Sequence, residues 1–559
     1  MRQLLALRMA LTGAALALLP VPGAAQAPAA YSWASLPPVR QPGFRADTFN
    51  ISTFGARPDG RTLNTASINQ AIAACSSQGG GVVLVPGGLW LTGPIELKSN
   101  VNLHLARAAV LEFTADFDQY PLVLGSYEGL PAYRNQSPLS GTNLENVAIT
   151  GRGIVDGNGD AWRMVGRDRL TENEWKKKVA AGGLVSDDGR MWYPSEKTRL
   201  GSKTPNAGNL APGKTASDYA AIKDYLRPNL LVFNNCRKVL LEGVTFQNSP
   251  AWCLHPLLCQ DLTVRNVLVR NPDYAQNGDG IDVESCRNVL IEGSTFDVGD
   301  DGICIKSGKD AEGRKRGVPT ENVIVRRNVV YHAHGGFVIG SEMSGGARNI
   351  FVEDCSFMGS DNGLRFKTAR GRGGIVENIF VRNIAMKDIV HDAILFDMYY
   401  FTKPPAKLAD GQPAAPDPLP AVTEATPQFR NFTISHITCD GAERGVFMRG
   451  LPEMNVRQIK LDDLVLRTTK GVELVEAQDI QLTNLQLQTL GTAPVVAVEN
   501  SHGLRFEGLT AVAPAGQPLF SVSGPRAADI RVGRAEAGAG RPQAEFKAGA
   551  SPKSLKYAN

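Results

Sequence analysis

The chain has 559 residues, 43% of them hydrophobic and 20% charged, with 58 glycines; this composition builds a packed core, excludes a disordered or collagen-like chain, and points to many turns rather than long helices. A formal charge of +4 gives no reason to expect a nucleic-acid partner, so attraction for an acidic ligand has to come from local clusters. Eight cysteines without a CxxC pair speak against zinc, and no metal or cofactor is expected.

Residues 1–27 carry Arg2 and Arg8, an apolar run to about Leu19 and small residues from Ala25 to Ala27. The pattern is that of a secretory signal peptide, so a secreted or periplasmic protein is expected, with a mature charge of +2 once the two arginines leave. No other apolar run approaches the length of a membrane span. In an exported chain the cysteines are free to pair, but most lie in strand-like segments, where buried thiols are the simpler expectation.

Further along, residues 65–81 place Ile68, Ala71, Ile72 and Cys75 on one helical face ahead of a glycine stop. This predicts an N-terminal helix that caps the open end of whatever core follows.

From Asn146 one short unit recurs: a polar residue, then alternating apolar positions, then a polar turn. Its first apolar residues are Val147, Val239, Leu262, Val289, Val323, Ile350, Ile379, Phe432, Ile459, Ile480 and Leu504. Between Val239 and Ile379 they are 23 to 34 residues apart. Alternation within the unit indicates strands with one buried face, and recurrence at this spacing indicates a solenoid. The fold expected is all-β: one right-handed parallel β-helix domain over 28–559, with three short strands per coil. A second register, "GIDVES", "GICIKS", "GFVIGS", "GLRFKT" and "AILFDM", turns Ile281, Val283, Leu364 and Phe366 inward and Asp282, Glu284, Lys306, Arg365 and Lys367 outward. Residues 158–230 and 402–428 break the rhythm and are expected to be insertions that wall the frame.

The second register aligns charged residues. Gly280 and Gly302 begin equivalent strands, so Asp279 and Asp301 fall at matching positions, with Asp300 one residue earlier. Stacked strands lie about 4.8 Å apart, which would gather three carboxylates at one edge. His334 stands before Gly336 as Asp300 stands before Gly302, and Arg365 and Lys367 follow one coil on. Turn chemistry accounts for any single Asp-Gly pair. Three aligned acids beside an imidazole and two cations are a candidate acid/base site, because crowded like charges raise at least one pKa.

The series Asn277-Gly278-Asp279, Asp300-Asp301, His334-Gly335 and Arg365-Phe366-Lys367 resembles the motifs N-x-D, D-D, H-G and R-x-K of the polygalacturonases, family 28 of the glycoside hydrolases. "GSEMSGG" and "GRGG" look like its bacterial branch, where exo-acting members are frequent. Gly278, Gly302, Ala333 and Phe366 depart from the usual pattern without removing a titratable group. The resemblance implies a secreted, monomeric enzyme that hydrolyses α-1,4-galacturonosidic bonds of pectic polysaccharide with inversion. In it Asp300 is the general acid, Asp279 and Asp301 activate water, and His334 holds the acid's protonation state. Asn277, Arg365, Lys367 and Tyr400 (failing that, Tyr399) bind substrate. Exo action is expected. The alternatives are a rhamnogalacturonan-directed galacturonidase, a calcium-dependent pectate lyase and a non-catalytic carbohydrate-binding β-helix.

Overall fold

A computed structural model describes residues 31–403, 418–490, 494–511, 513, 517–536 and 543–558. The expected signal peptide, and residues 404–417 of the second insertion, lie outside them. Residues 31–36 belong to a small separate unit and carry a Ser32–Ser35 bridge. From Pro37 the chain winds into a right-handed parallel β-helix.

Each coil contributes three strands, for example Leu254–Leu257, Gln260–Arg265 and Leu268–Arg270. The last two columns join in one 24-stranded sheet, and the first stacks into a separate sheet of 14 strands. The column read from the sequence is the register observed: Val147 pairs with Val239, Val239 with Leu262, then Val289, Val323, Ile350, Ile379, Phe432, Ile459 and Ile480. All of these side chains are fully buried. A one-residue slip would turn every one of them outward, which is why the alternating pattern fixes the stacking.

The polar residue that opens each unit has its own reason to be there. Asn288, Asn322, Asn349 and Asn378 all sit at positive φ, between 55° and 59°. Asparagine tolerates this left-handed turn better than most side chains. Each amide also donates to the residue one coil below: Asn288 to Asp261, Asn322 to Asn288, Asn349 to Asn322 and Asn378 to Asn349, at 3.1 to 3.3 Å. The corner thus carries a ladder of side-chain hydrogen bonds.

Inside the coil, aromatic side chains stack along the axis. Phe366 lies 4.6 Å from Phe396, and Phe432 lies 5.0 Å from both, in tilted and edge-on contacts. The helix spans Thr65–Ser77 and ends before Gly79 and Gly80; its Ile68, Ala71, Ile72 and Cys75 join the core. All eight cysteines are buried free thiols. Among the described residues no helix is long and apolar enough to cross a membrane.

Residues 158–230 form an outlying layer of short helices, Glu172–Ala180 and Glu196–Ser202, and a three-stranded sheet with a small core of Val165, Trp175 and Trp192. A hairpin the sequence did not announce, Leu122–Tyr127 paired antiparallel with Leu130–Asn135, rises beside this layer.

Candidate active site

The 14-stranded sheet sets the geometry. In it Ile281 pairs with Ile303 and Asp301 with Gly335. This register puts Asp279 level with Asp301, and Asp300 level with His334. The intervening glycines make the fit possible. A Cβ on Gly280 would lie 2.5 Å from the Gly302 carbonyl oxygen, and one on Gly302 would lie 2.5 Å from Val330, so neither position admits a side chain without displacing the neighbouring coil.

One oxygen from each of Asp279, Asp300 and Asp301 lies within 4.8 Å of the others. Their surroundings differ. Asp301, 1% exposed, accepts 2.7 Å from Lys367 Nζ at Oδ2 and 3.3 Å from Arg365 at Oδ1. Burial opposes its charge, but Lys367, Arg365 and Lys306 together outweigh burial and hold this carboxyl well below the usual range. Asp279, 3% exposed, has an Oδ1 with no hydrogen-bond partner, and burial together with Asp282 and Asp300 pushes it well up. Asp300 is only half buried. Its Oδ1 faces His334 Nδ1 at 3.0 Å and accepts the Asp301 N–H at 3.0 Å. That contact with Asp300 is the main cause raising the imidazole's pKa; burial opposes it, and Asp301 and Asp361 add to it. The three acids have the spacing of a cation's ligand set, yet both oxygens of Asp301 are already held by side-chain cations.

The remaining expected residues fall around this cluster. Tyr400 lies over both cations, its ring centre 4.9 Å from the Lys367 ammonium and 5.5 Å from the Arg365 guanidinium. Tyr399 turns into the core, and its hydroxyl meets Arg370. Asn277 belongs to the same loop as Asp279, but its amide oxygen is already taken, by the Tyr127 hydroxyl and by Arg227, each at 3.1 Å.

The outward face is less wet than alternation alone suggests. Asp282 and Glu284 are fully buried, and Lys306 and Lys367 are 4% exposed. Beneath the acids, Lys306 donates 2.7 Å to Glu342 and lies 3.8 Å from Asp282, whose two oxygens have no hydrogen-bond partner. Burial, the largest influence, pushes Asp282 well up. Glu284, beside it, bonds His255 at 2.8 Å and meets Arg316 at 2.8 Å. These groups were visible as outward residues of the repeat, but what covers them was not. Tyr127, Arg227 and Trp252 lie outside the repeating pattern, which carried no signal for them.

The chain is also similar to known proteins. The family signature "Glycosyl hydrolases family 28" matches residues 213–412, and "Rhamnogalacturonase A/epimerase, pectate lyase-like" matches 48–185. The chain is 32% identical to a "Probable polygalacturonase" of Vitis vinifera, over 61% of each chain and so under two thirds of that protein's length. It is 28% identical to the "Exo-poly-alpha-D-galacturonosidase" of Dickeya chrysanthemi, over 80% of this chain and 72% of that one. Among solved structures it resembles a hyperthermoactive exopolygalacturonase from Thermotoga maritima, with 33% identity, a TM-score of 0.64, and coverage of 80% of this chain and 94% of that one. The chain belongs to family 28 of the glycosyl hydrolases and is a glycoside hydrolase, which sets aside the lyase and the non-catalytic readings.

Proposed function

We propose that this protein hydrolyses α-1,4-galacturonosidic bonds of pectic polysaccharide from a chain end, with inversion. The observation that carries the reading is the gathering of Asp279, Asp300 and Asp301 within 4.8 Å beside Arg365 and Lys367. Cations at that point suit a substrate that bears a carboxylate on each unit: a guanidinium fork and an ammonium are the two side chains that pair with such an anion.

Asp300 is the general acid that protonates the leaving oxygen. Of the three acids it is the most exposed, and its bond to His334 keeps a proton in the pair as pH rises. Asp279 and Asp301 hold and deprotonate the water. Two oxygens less than 4.8 Å apart can both accept from one water, since each such bond is about 2.7–2.8 Å long. In the free enzyme Lys367 and Arg365 weaken Asp301 as a base. A substrate carboxylate that draws these cations to itself returns basicity to Asp301, so binding of the correct sugar and activation of water are linked. Tyr400 lies where a sugar ring would stack. Exo action is supported by the names of the Dickeya chrysanthemi and Thermotoga maritima relatives. Export through residues 1–27 as a signal peptide, and action as a monomer, complete the reading.

The test is proton NMR of polygalacturonate during the first minutes of hydrolysis. Inversion gives product whose new reducing end is first β. A first-formed α anomer would refute inversion, and absence of any new reducing end would refute the activity.

A further inference from the structure

Resting on the galacturonan reading, we propose that Arg227, at the end of the first insertion, is a positioning residue for hydrolysis: it holds the loop that carries Asp279, and so keeps that carboxylate level with Asp301. The acids reach the site on unequal connections. Asp300 and Asp301 come almost directly from the strand Thr295–Asp297, since only three residues, 298–300, lead to the strand Asp301–Lys306. Asp279 stands near the end of a connection of ten residues, 271–280, between the strands Leu268–Arg270 and Ile281–Glu284. A longer connection has more conformational freedom to lose, so contacts have to supply its order.

Some of that order is internal. Asn271 donates 3.0 Å to the Gly278 carbonyl, and the Ala275 and Gly278 N–H groups close turns on Pro272 and Ala275. The rest comes from outside the loop. The Cys253 N–H donates 2.9 Å to the Asp279 carbonyl, and the Tyr274 hydroxyl donates 2.9 Å to Asp160 of the insertion. Between these two points Arg227 takes hold. Its Nη1 donates 2.8 Å to the Gln276 carbonyl and 2.8 Å to the Pro250 carbonyl, and its Nη2 donates 3.1 Å to Asn277 Oδ1. One guanidinium thus ties the residues just before Asp279 to the matching connection of the preceding coil.

Arg227 is itself fixed. It is 8% exposed, Arg134 donates 3.0 Å to its carbonyl, and Pro228 restricts its backbone to extended conformations. A planar fork of N–H donors serves the three acceptors from one place; a lysine ammonium keeps the charge and loses the fork. Enclosed, and spent on two carbonyls and an amide oxygen, the guanidinium acts on the reaction through Asp279. The Oδ1 of Asp279 has no hydrogen-bond partner, so the aim of this carboxylate depends on the backbone that Arg227 holds.

The experiment measures kcat and KM on polygalacturonate for wild type, Arg227→Ala and Arg227→Lys, each fold checked by circular dichroism and thermal midpoint. Misplacing a reacting group by about 1 Å costs about 100-fold, so Arg227→Ala is expected to lower kcat by about that factor with KM close to wild type. Guanidinium chloride far below denaturing concentrations, set against equal sodium chloride, is expected to restore kcat in Arg227→Ala and to leave wild type unchanged. If Arg227→Ala fails to fold, Arg227→Lys carries the test, with a smaller loss of kcat expected at unchanged KM. Wild-type kcat in a folded variant overturns the proposal, as does a rise in KM at unchanged kcat or a loss in Arg227→Ala that guanidinium does not relieve. A wild-type protein that releases no reducing ends overturns the galacturonan reading instead.

Discussion

Asp300 and Asp301 are adjacent in the chain, yet their partners set them apart. In the proposed mechanism Asp300, half buried and bonded to His334, gives up the proton, while Asp301, clasped by Lys367 and Arg365, keeps none. His334 holds its proton above the ordinary imidazole value of 6.5. Its bond to Asp300 is therefore complete below that value and is lost as pH rises through the raised one. Substitution His334→Ala should move the alkaline limb of kcat/KM to lower pH, which a pH–rate profile would read; an unmoved limb would remove His334 from the acid's control. Lys306→Met takes from buried Glu342 its closest cation, leaving Arg372 at 3.7 Å, and removes the ammonium beside buried Asp282; the loss of such a partner costs about 3–5 kcal/mol. A thermal midpoint close to that of wild type would show that Arg372 and the Ser341 hydroxyl suffice to hold Glu342.

At the scale of the element, the asparagine ladder is where local conformation and stacking coincide. Asn349, at φ 55°, donates to Asn322 and accepts from Asn378. Asn349→Ala should cost both the left-handed turn and the ladder bonds, about 2 kcal/mol together. Asn349→Gly should cost less, because glycine accepts the turn freely. Equal losses in a denaturant titration would mean that the ladder bond alone matters. In the core, Phe396→Ala opens a void beside Phe366 and Phe432 and should destabilise by about 3–5 kcal/mol; a much smaller loss would show that the coil collapses around it.

On the scale of the whole molecule, what could be read in advance follows from what repeats. The columns through Val239 and Ile281 were legible because a parallel β-helix turns sequence period into spatial register, and the alignment of Asp279 with Asp301 came with it. Of the two tyrosines, Tyr400 lies against Lys367 and Arg365, whereas Tyr399 turns into the core. The hairpin Leu122–Asn135, and the hold of Arg227 and Tyr127 on Asn277, obey no period. They depend on contacts between segments about 50 to 150 residues apart, which no local pattern announces. The same limit explains why Asp282 and Glu284, outward by alternation, are nonetheless buried.

The most direct measurement is the rate at which Asp300→Asn releases reducing ends from polygalacturonate, set beside wild type at the wild-type optimum. Loss of a general acid predicts a fall of about 10²- to 10⁴-fold with the fold intact. A folded variant that cleaves at the wild-type rate would contradict the assignment of this cluster as the centre of hydrolysis.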